Sequence, residues 1–375
     1  MRRTLAFLLA ALMMFSICGC SANPTENTVP TEIQAPVPET TVSATEAAEA
    51  EIPETTVPET TAPAQTEPPL TGDLLLSVSK IDLTLVGDSE DIFIGTADRQ
   101  HIVWTSADES VITVEDGVLT AVGVGTTTVT AQYGDQILEC TAGCLAANEE
   151  ELSTLDEEIL RAPKRYPPVL ENPPLELYSD AAFVGDSITY IMFQNETRLG
   201  ILGHPLFLVR SGTSLNGLVL RYKNVYYRGA EMNFEDAVAE SGAKKIFIML
   251  GQNDLRYRTI EDTMASWDTL IDRVKEKSPD AEIYIESCVY EWYPSDGDNA
   301  RNITIDIYND LLVQYCADNG HHYVDIQKYV EDHTGKMATP YNLDKSIHLN
   351  EPGCVAWMHA LNTYMYALSI GGNSL

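Results

Sequence analysis

Basic side chains are scarce in this chain, and the scarcity is uneven. Of 375 residues, 23 are Lys or Arg against 56 Asp or Glu, a formal charge of −33. Residues 4–79 contain neither Lys nor Arg. Clustered Lys and Arg are what hold phosphate backbones and anionic membrane surfaces, so this balance disfavours nucleic acid and charged lipid as partners. Long apolar runs are nearly missing too. The run from Leu5 to Phe15 is too short to span a membrane as a mature helix, and no other segment approaches ~18 apolar residues. Phosphate-loop, paired-cysteine zinc and dinucleotide patterns are absent, so no motif calls for a metal or cofactor. Of the cysteines, Cys18 and Cys20 belong to the amino-terminal segment. The remaining Cys140, Cys144, Cys288, Cys316 and Cys354 are odd in number and scattered, which implies free buried thiols rather than a disulfide framework.

What is present at the amino terminus reads as an export signal, with Arg2 and Arg3 preceding the apolar run. The run ends in Ile17-Cys18-Gly19-Cys20, which resembles the bacterial lipobox. That resemblance implies removal of residues 1–19, a lipid on the Cys20 thiol, and attachment to the extracellular face of a bacterial envelope through that lipid alone. An ordinary secretory signal cut near Ala22 is the alternative. Residues 20–72 then form an expected tether. Pro38-Glu39-Thr40-Thr41, Pro53-Glu54-Thr55-Thr56 and Pro58-Glu59-Thr60-Thr61 recur, and aromatic residues are absent. Such a composition cannot bury enough apolar surface to offset chain entropy. As a coil the tether spans on the order of 40 Å, and extended as polyproline II roughly 160 Å.

Between residues 73 and 145 the pattern turns to short alternating strands punctuated by Gly117, Gly123 and Gly125, which predicts a small all-β sandwich. Trp104-Thr105-Ser106-Ala107-Asp108, Val114-Glu115-Asp116-Gly117, Leu119-Thr120-Ala121-Val122-Gly123 and Gly125-Thr126-Thr127-Thr128-Val129 resemble the bacterial Ig-like domain, group 2. That family implies a surface spacer or adhesive module with Trp104 in its core. Residues 146–174 read as a connector: a charged helix over 149–161, then Pro163, Pro167, Pro168, Pro173 and Pro174.

From 175 to 372 strands and helices alternate. Apolar runs lie at 181–184, 206–209, 246–250, 283–285 and 323–326, with helical patterns near 188–199, 234–241, 260–277 and 304–318 and a last one near 355–368. This predicts an α/β domain, a parallel sheet covered on both faces, with ligand sites outside the carboxyl ends of its strands. Ser187 ends the first run where a helix begins, so its hydroxyl is presented beside backbone N–H groups. Gly212 follows the second run, Asn253 the third, and His348 the fifth, in a loop before the last helix. A serine needs a base, and an oxyanion needs donors, so these four residue types at strand ends suit acyl transfer.

Gly-Asp-Ser alone is a common loop tripeptide. Gly185-Asp186-Ser187, Gly251-Gln252-Asn253-Asp254 and Ile347-His348-Leu349-Asn350, in this order, resemble the serine, asparagine and histidine blocks of the SGNH, or GDSL-like, hydrolases. The resemblance implies a flavodoxin-like three-layer α/β/α fold and ester hydrolysis through an acyl-enzyme. Ser187 is then the nucleophile, His348 the base and acid, and Gly212 and Asn253 oxyanion donors. The chain departs from the family at Lys345, where an Asp three residues before the histidine is usual; Asp344 stands four before. Either a one-residue bulge aims Asp344 at the imidazole, or a backbone carbonyl orients His348 and leaves a dyad.

Asp186 and Asp254 are expected to organise loops through backbone hydrogen bonds. His204, His321, His322 and His333 are expected to be structural. Glu291-Trp292-Tyr293, Tyr222, Tyr226 and Tyr227 fit an acyl or sugar platform as well as a surface cluster. The expected activity is an extracellular, lipid-anchored serine esterase without metal or cofactor. Its ester substrate would be acetylated polysaccharide or peptidoglycan. Acyl transfer to a sugar, and a surface binding protein with a degenerate hydrolase domain, are the alternatives.

Overall fold

The computed structural model describes residues 74–94, 102–220, 225–293 and 299–370. The expected signal, Cys20, the tether and Tyr222 lie outside them. The first described part is all β. β1 (Lys80–Leu85), β2 (Ser89–Asp91), β3 (Val103–Ser106), β4 (Ile112–Glu115), β5 (Val118–Ala121), β6 (Gly125–Tyr133) and β7 (Gln136–Ala146) form two sheets. Their orders are β3-β6-β7-β1, extended by one further strand, and β2-β5-β4. The alternation that predicted strands is what buries them: along β6, Thr127, Val129, Ala131 and Tyr133 are buried while Thr126, Thr128 and Gln132 are exposed. Trp104 is half-buried against this core rather than enclosed in it.

The connector differs from its expectation in its helix. In place of one helix over 149–161 there are two single turns, α1 (Glu149–Leu152) and α2 (Glu157–Leu160). Ser153 Oγ donates to Glu150 O and Thr154 Oγ1 to Glu151 O, each at 2.7 Å, local bonds that compete with helix continuation. Among the prolines beyond, Pro163 and Pro167 flank a paired strand. β8 (Arg165–Tyr166) pairs antiparallel with β1 as the edge of the first sheet, and Pro163 bridges to Asp332.

The remainder alternates as expected. β9 (Ala181–Gly185), α3 (Ser187–Leu199), β10 (Leu206–Val209), α4 (Leu215–Val219), a hairpin of β11 (Val225–Tyr227) and β12 (Ala230–Met232), α5 (Phe234–Ser241) and β13 (Lys245–Met249) come first. Then follow α6 (Ile260–Lys277), β14 (Glu282–Glu286), α7 (Ala300–Asn319), β15 (His322–Val324) and α8 (Glu351–Ser369). The sheet is parallel throughout, in the order β10-β9-β13-β14-β15. This is the flavodoxin-like order, with its switch point between β9 and β13. On one face lie α3 and α8, and on the other α4 to α7, so apolar side chains from both faces of every central strand are buried. Phe207, Phe183, Phe247, Tyr284 and His322 stack across all five strands with centroids 4.3–5.1 Å apart, one ring per strand. The face under α8 is continuous with the core of the β part, and Tyr329 Oη donates to Ser77 O at 2.9 Å.

Candidate active site

Ser187 is the first residue of α3, directly after β9. The turn exists because Asp186 caps the helix, its Oδ1 accepting from Ile188 N at 2.9 Å. Gly251 opens the turn after β13 at φ +118°, where a Cβ would stand 2.3 Å from the Tyr308 hydroxyl, so only glycine lets the chain pass. That turn delivers Asn253. Ser187 and Asn253 therefore flank the switch point. Gly212, exposed and at φ +77°, lies beyond β10. His348 follows the fifth strand at a distance, in the loop before the last helix. Residues 325–347 intervene in irregular backbone with two 3-10 turns, and the histidine sits just before α8.

These elements bring three side chains into line. Ser187 Oγ is 2.9 Å from His348 Nε2, and His348 Nδ1 is 2.5 Å from Asp344 Oδ2. The choice that the sequence left open falls on the side chain of Asp344 rather than on a backbone carbonyl. The local reason is Lys345, which adopts the left-handed conformation at φ +60°. Its N–H is held by Asn342 Oδ1, Ser346 N donates to Asp344 Oδ1 at 3.0 Å, and Leu343 N donates to His348 O at 2.9 Å. One left-handed residue thus takes up the extra position in the loop. Partial burial raises the Asp344 carboxyl, but the His348 hydrogen bond and charge, with backbone N–H donors, outweigh it and hold the group below the usual range. The serine and imidazole are partly exposed, so a substrate has access.

Asn253 is engaged in the free site: Nδ2 donates to Asp186 Oδ2 at 2.8 Å and to Thr213 O at 3.0 Å. Burial pushes the Asp186 carboxyl up to about 6, against the backbone N–H of Ile188 and the charge of His348, which draw it down. Asp254 accepts from Leu215 N at 2.8 Å and Asn216 N at 2.9 Å. It ties the turn after β13 to the loop that carries Gly212 and Thr213. Burial raises its carboxyl as well, and those two N–H groups oppose the rise.

The other histidines lie elsewhere. His333 is buried, its Nδ1 3.1 Å from Thr84 Oγ1, and burial beside Lys164 and Lys80 pushes it down to about 3. His322 ends the ring stack, His321 lies beside it, and His204 is an exposed residue in the loop between α3 and β10. Glu291 is buried between Arg301, 2.7 Å away, and Arg256, 3.4 Å away. Trp292 is half-buried with its indole N–H on Thr339 Oγ1 at 3.0 Å, so both belong to the framework. Tyr293 and Tyr226 are exposed, and Tyr227 is half-buried. Cys140, Cys144, Cys288, Cys316 and Cys354 are buried free thiols. Among the described residues no cluster of His, Cys, Asp or Glu could hold a metal ion. Two features had no counterpart in the sequence reading, the side-chain bond from Asn253 to Asp186 and the left-handed Lys345.

Residues 183–355 match the model of the GDSL-like Lipase/Acylhydrolase family. They are a GDSL-like acylhydrolase domain. The protein is a serine hydrolase acting on esters. No curated protein matches the chain. Among solved structures it is similar to a GDSL-like lipase from Bacteroides thetaiotaomicron, at 13% identity and a TM-score of 0.42 over 52% of this chain and 91% of that one. It is similar to a carbohydrate esterase family 3 protein from Talaromyces cellulolyticus, at 15% identity and a TM-score of 0.37 over 52% and 99%. A third is a member of the lipolytic G-D-S-L family from Veillonella parvula, at 17% identity and a TM-score of 0.36 over 48% and 94%.

Proposed function

We propose that the acylhydrolase domain works through Ser187, His348 and Asp344. The observation that carries the reading is the continuous chain from Ser187 Oγ through both ring nitrogens of His348 to Asp344 Oδ2. Ser187 Oγ attacks the ester carbonyl carbon while His348 Nε2 takes its proton. Asp344 accepts from Nδ1–H and stabilises the imidazolium. The tetrahedral oxyanion is held by the N–H groups of Ser187 and Gly212 and by the Asn253 amide, which gives up Asp186 or Thr213 as acceptor when the substrate oxygen arrives. The leaving alcohol takes the proton from Nε2. Water, deprotonated by His348, then splits the acyl-enzyme into a carboxylic acid and free Ser187.

In this reading Cys20 carries the lipid, the segment 20–72 is the tether, and 73–145 is a group 2 bacterial Ig-like module. A serine esterase held outside the cell meets esters on extracellular glycans and cell-wall polymers, and acetyl groups are the proposed acyl unit. Purified protein should hydrolyse p-nitrophenyl acetate, and Ser187→Ala should remove the activity; equal rates for the two would end the catalytic assignment. Acetate release from acetylated xylan against O-acetylated peptidoglycan separates the substrate classes. For the anchor, Cys20→Ala should move the protein from the detergent phase to the aqueous phase.

A further inference from the structure

Arg161 stands outside the segment that matches the acylhydrolase family, 22 positions before its first residue at 183. It closes α2 in the connector, and its side chain is nearly enclosed, 10% exposed. The guanidinium makes three hydrogen bonds, through Nε and Nη2. Nε pairs with Asp332, which is fully buried, and Nη2 donates to Trp292 O at 3.2 Å and to Met337 O at 3.1 Å. The same group lies over the Trp292 ring, 5.1 Å from its centroid. The backbone joins in: Thr339 N donates to Arg161 O at 2.9 Å, and His333 N to Leu160 O at 3.1 Å.

The two segments that Arg161 gathers are those on which the Asp344–His348 loop rests. Trp292 N donates to Ser346 O at 2.8 Å, two residues before the imidazole. Met337 N donates to Glu291 O at 3.3 Å, and five residues on Asn342 accepts the N–H of left-handed Lys345. A planar fork that binds a carboxylate and two carbonyls at once fixes the spacing of the segments carrying them, which a lysine ammonium does not reproduce.

We infer that Arg161 is a positioning residue for the esterase site, supplied by the connector, which sets the loop carrying Asp344 and His348 against Ser187. The inference rests on the triad reading above. The Ser187–His348 distance depends on that loop alone on one side, because Ser187 is anchored on β9 and α3. Misplacement of a catalytic group by about 1 Å can cost a hundredfold in rate. The connector is then part of the working enzyme.

The test uses the full chain with Arg161→Lys, Arg161→Ala and Ser187→Ala, assayed on p-nitrophenyl acetate and by the rate of Ser187 labelling with a fluorophosphonate. Arg161→Lys keeps a cation for Asp332 but loses the fork. Both Arg161 variants are expected to lower kcat and the labelling rate together by about tenfold to a hundredfold. KM should stay within about twofold. Added guanidinium should restore part of the rate of Arg161→Ala and leave the wild type unchanged. A folded Arg161 variant with wild-type kcat and labelling, whatever its melting temperature, overturns the inference. So does loss of folded protein in both Arg161 variants, since the residue is then structural only. If Ser187→Ala retained full turnover, the triad reading itself would fail, an outcome distinct from either.

Discussion

Asp344 Oδ2 meets His348 Nδ1 at 2.5 Å although the two residues are four apart, because Lys345 between them takes a left-handed turn. The carboxylate has two further duties in that loop, accepting Ser346 N through its other oxygen and, on the charge side, facing an imidazole that becomes cationic in each half of the proposed reaction.

Asp344→Asn should therefore lower esterase turnover by tenfold or more, as loss of the orienting charge does in related serine–histidine arrangements, where ~10⁴ has been the scale. Steady-state kinetics on p-nitrophenyl acetate measure it. Unchanged turnover would mean that backbone alone orients the imidazole and the site works as a dyad.

At Lys345 the two replacements should diverge. Glycine enters the left-handed region without strain, so Lys345→Gly should keep turnover and alter stability by less than about 1 kcal/mol. A branched Cβ there costs on the order of 1–2 kcal/mol, so Lys345→Val should lower both the melting temperature and kcat. Thermal melts and kinetics of the pair decide, and indistinguishable variants would remove Lys345 from the account.

Asp254 ties two site loops together through Leu215 N and Asn216 N. Truncation to alanine leaves a buried donor without its acceptor, which costs about 1–3 kcal/mol. It also frees the loop bearing Gly212. Asp254→Ala should lower the denaturant midpoint and reduce kcat more than it raises KM. Wild-type kcat at reduced stability would show that the tie is structural only.

Glu286, on β14, is fully buried with its Oε2 accepting from the Trp357 indole, and burial pushes it up to about 8. The folded state then holds a proton that the unfolded chain gives up near pH 4 to 5. The stability this group contributes is complete below that range and is lost as pH rises through about 8, at up to about 1.4 kcal/mol per pH unit. Urea midpoints between pH 5 and 9 should fall more steeply for the wild type than for Glu286→Gln. Parallel curves would mean that the carboxyl is ionised in the fold.

Local signals carried much of the architecture because they depend on near neighbours in the chain. The runs at 206–209, 234–241 and 260–277 became β10, α5 and α6 with the same limits, since two- and 3.6-residue periodicities are properties of a single segment. The helix expected over 149–161 broke because Ser153 and Thr154 found carbonyls three residues back, a competition that charge pattern does not reveal. The place of His348, in a loop before the last helix, was legible, but the irregular path over 325–347 that leads to it has no period to read.

By itself the sequence determined the kinds and order of chemical groups: a serine at a strand-to-helix turn, an asparagine at the next strand end, a histidine before the last helix, and a parallel sheet to hold them. Only the tertiary structure decided that Asp344 reaches the imidazole, that Asn253 rests on Asp186, and that Arg161 bonds Asp332, 171 positions away. The physical reason is separation. A hydrogen-bonding fork or a left-handed residue has no signature in composition or period, and its partner is chosen by which surfaces the packed core brings together.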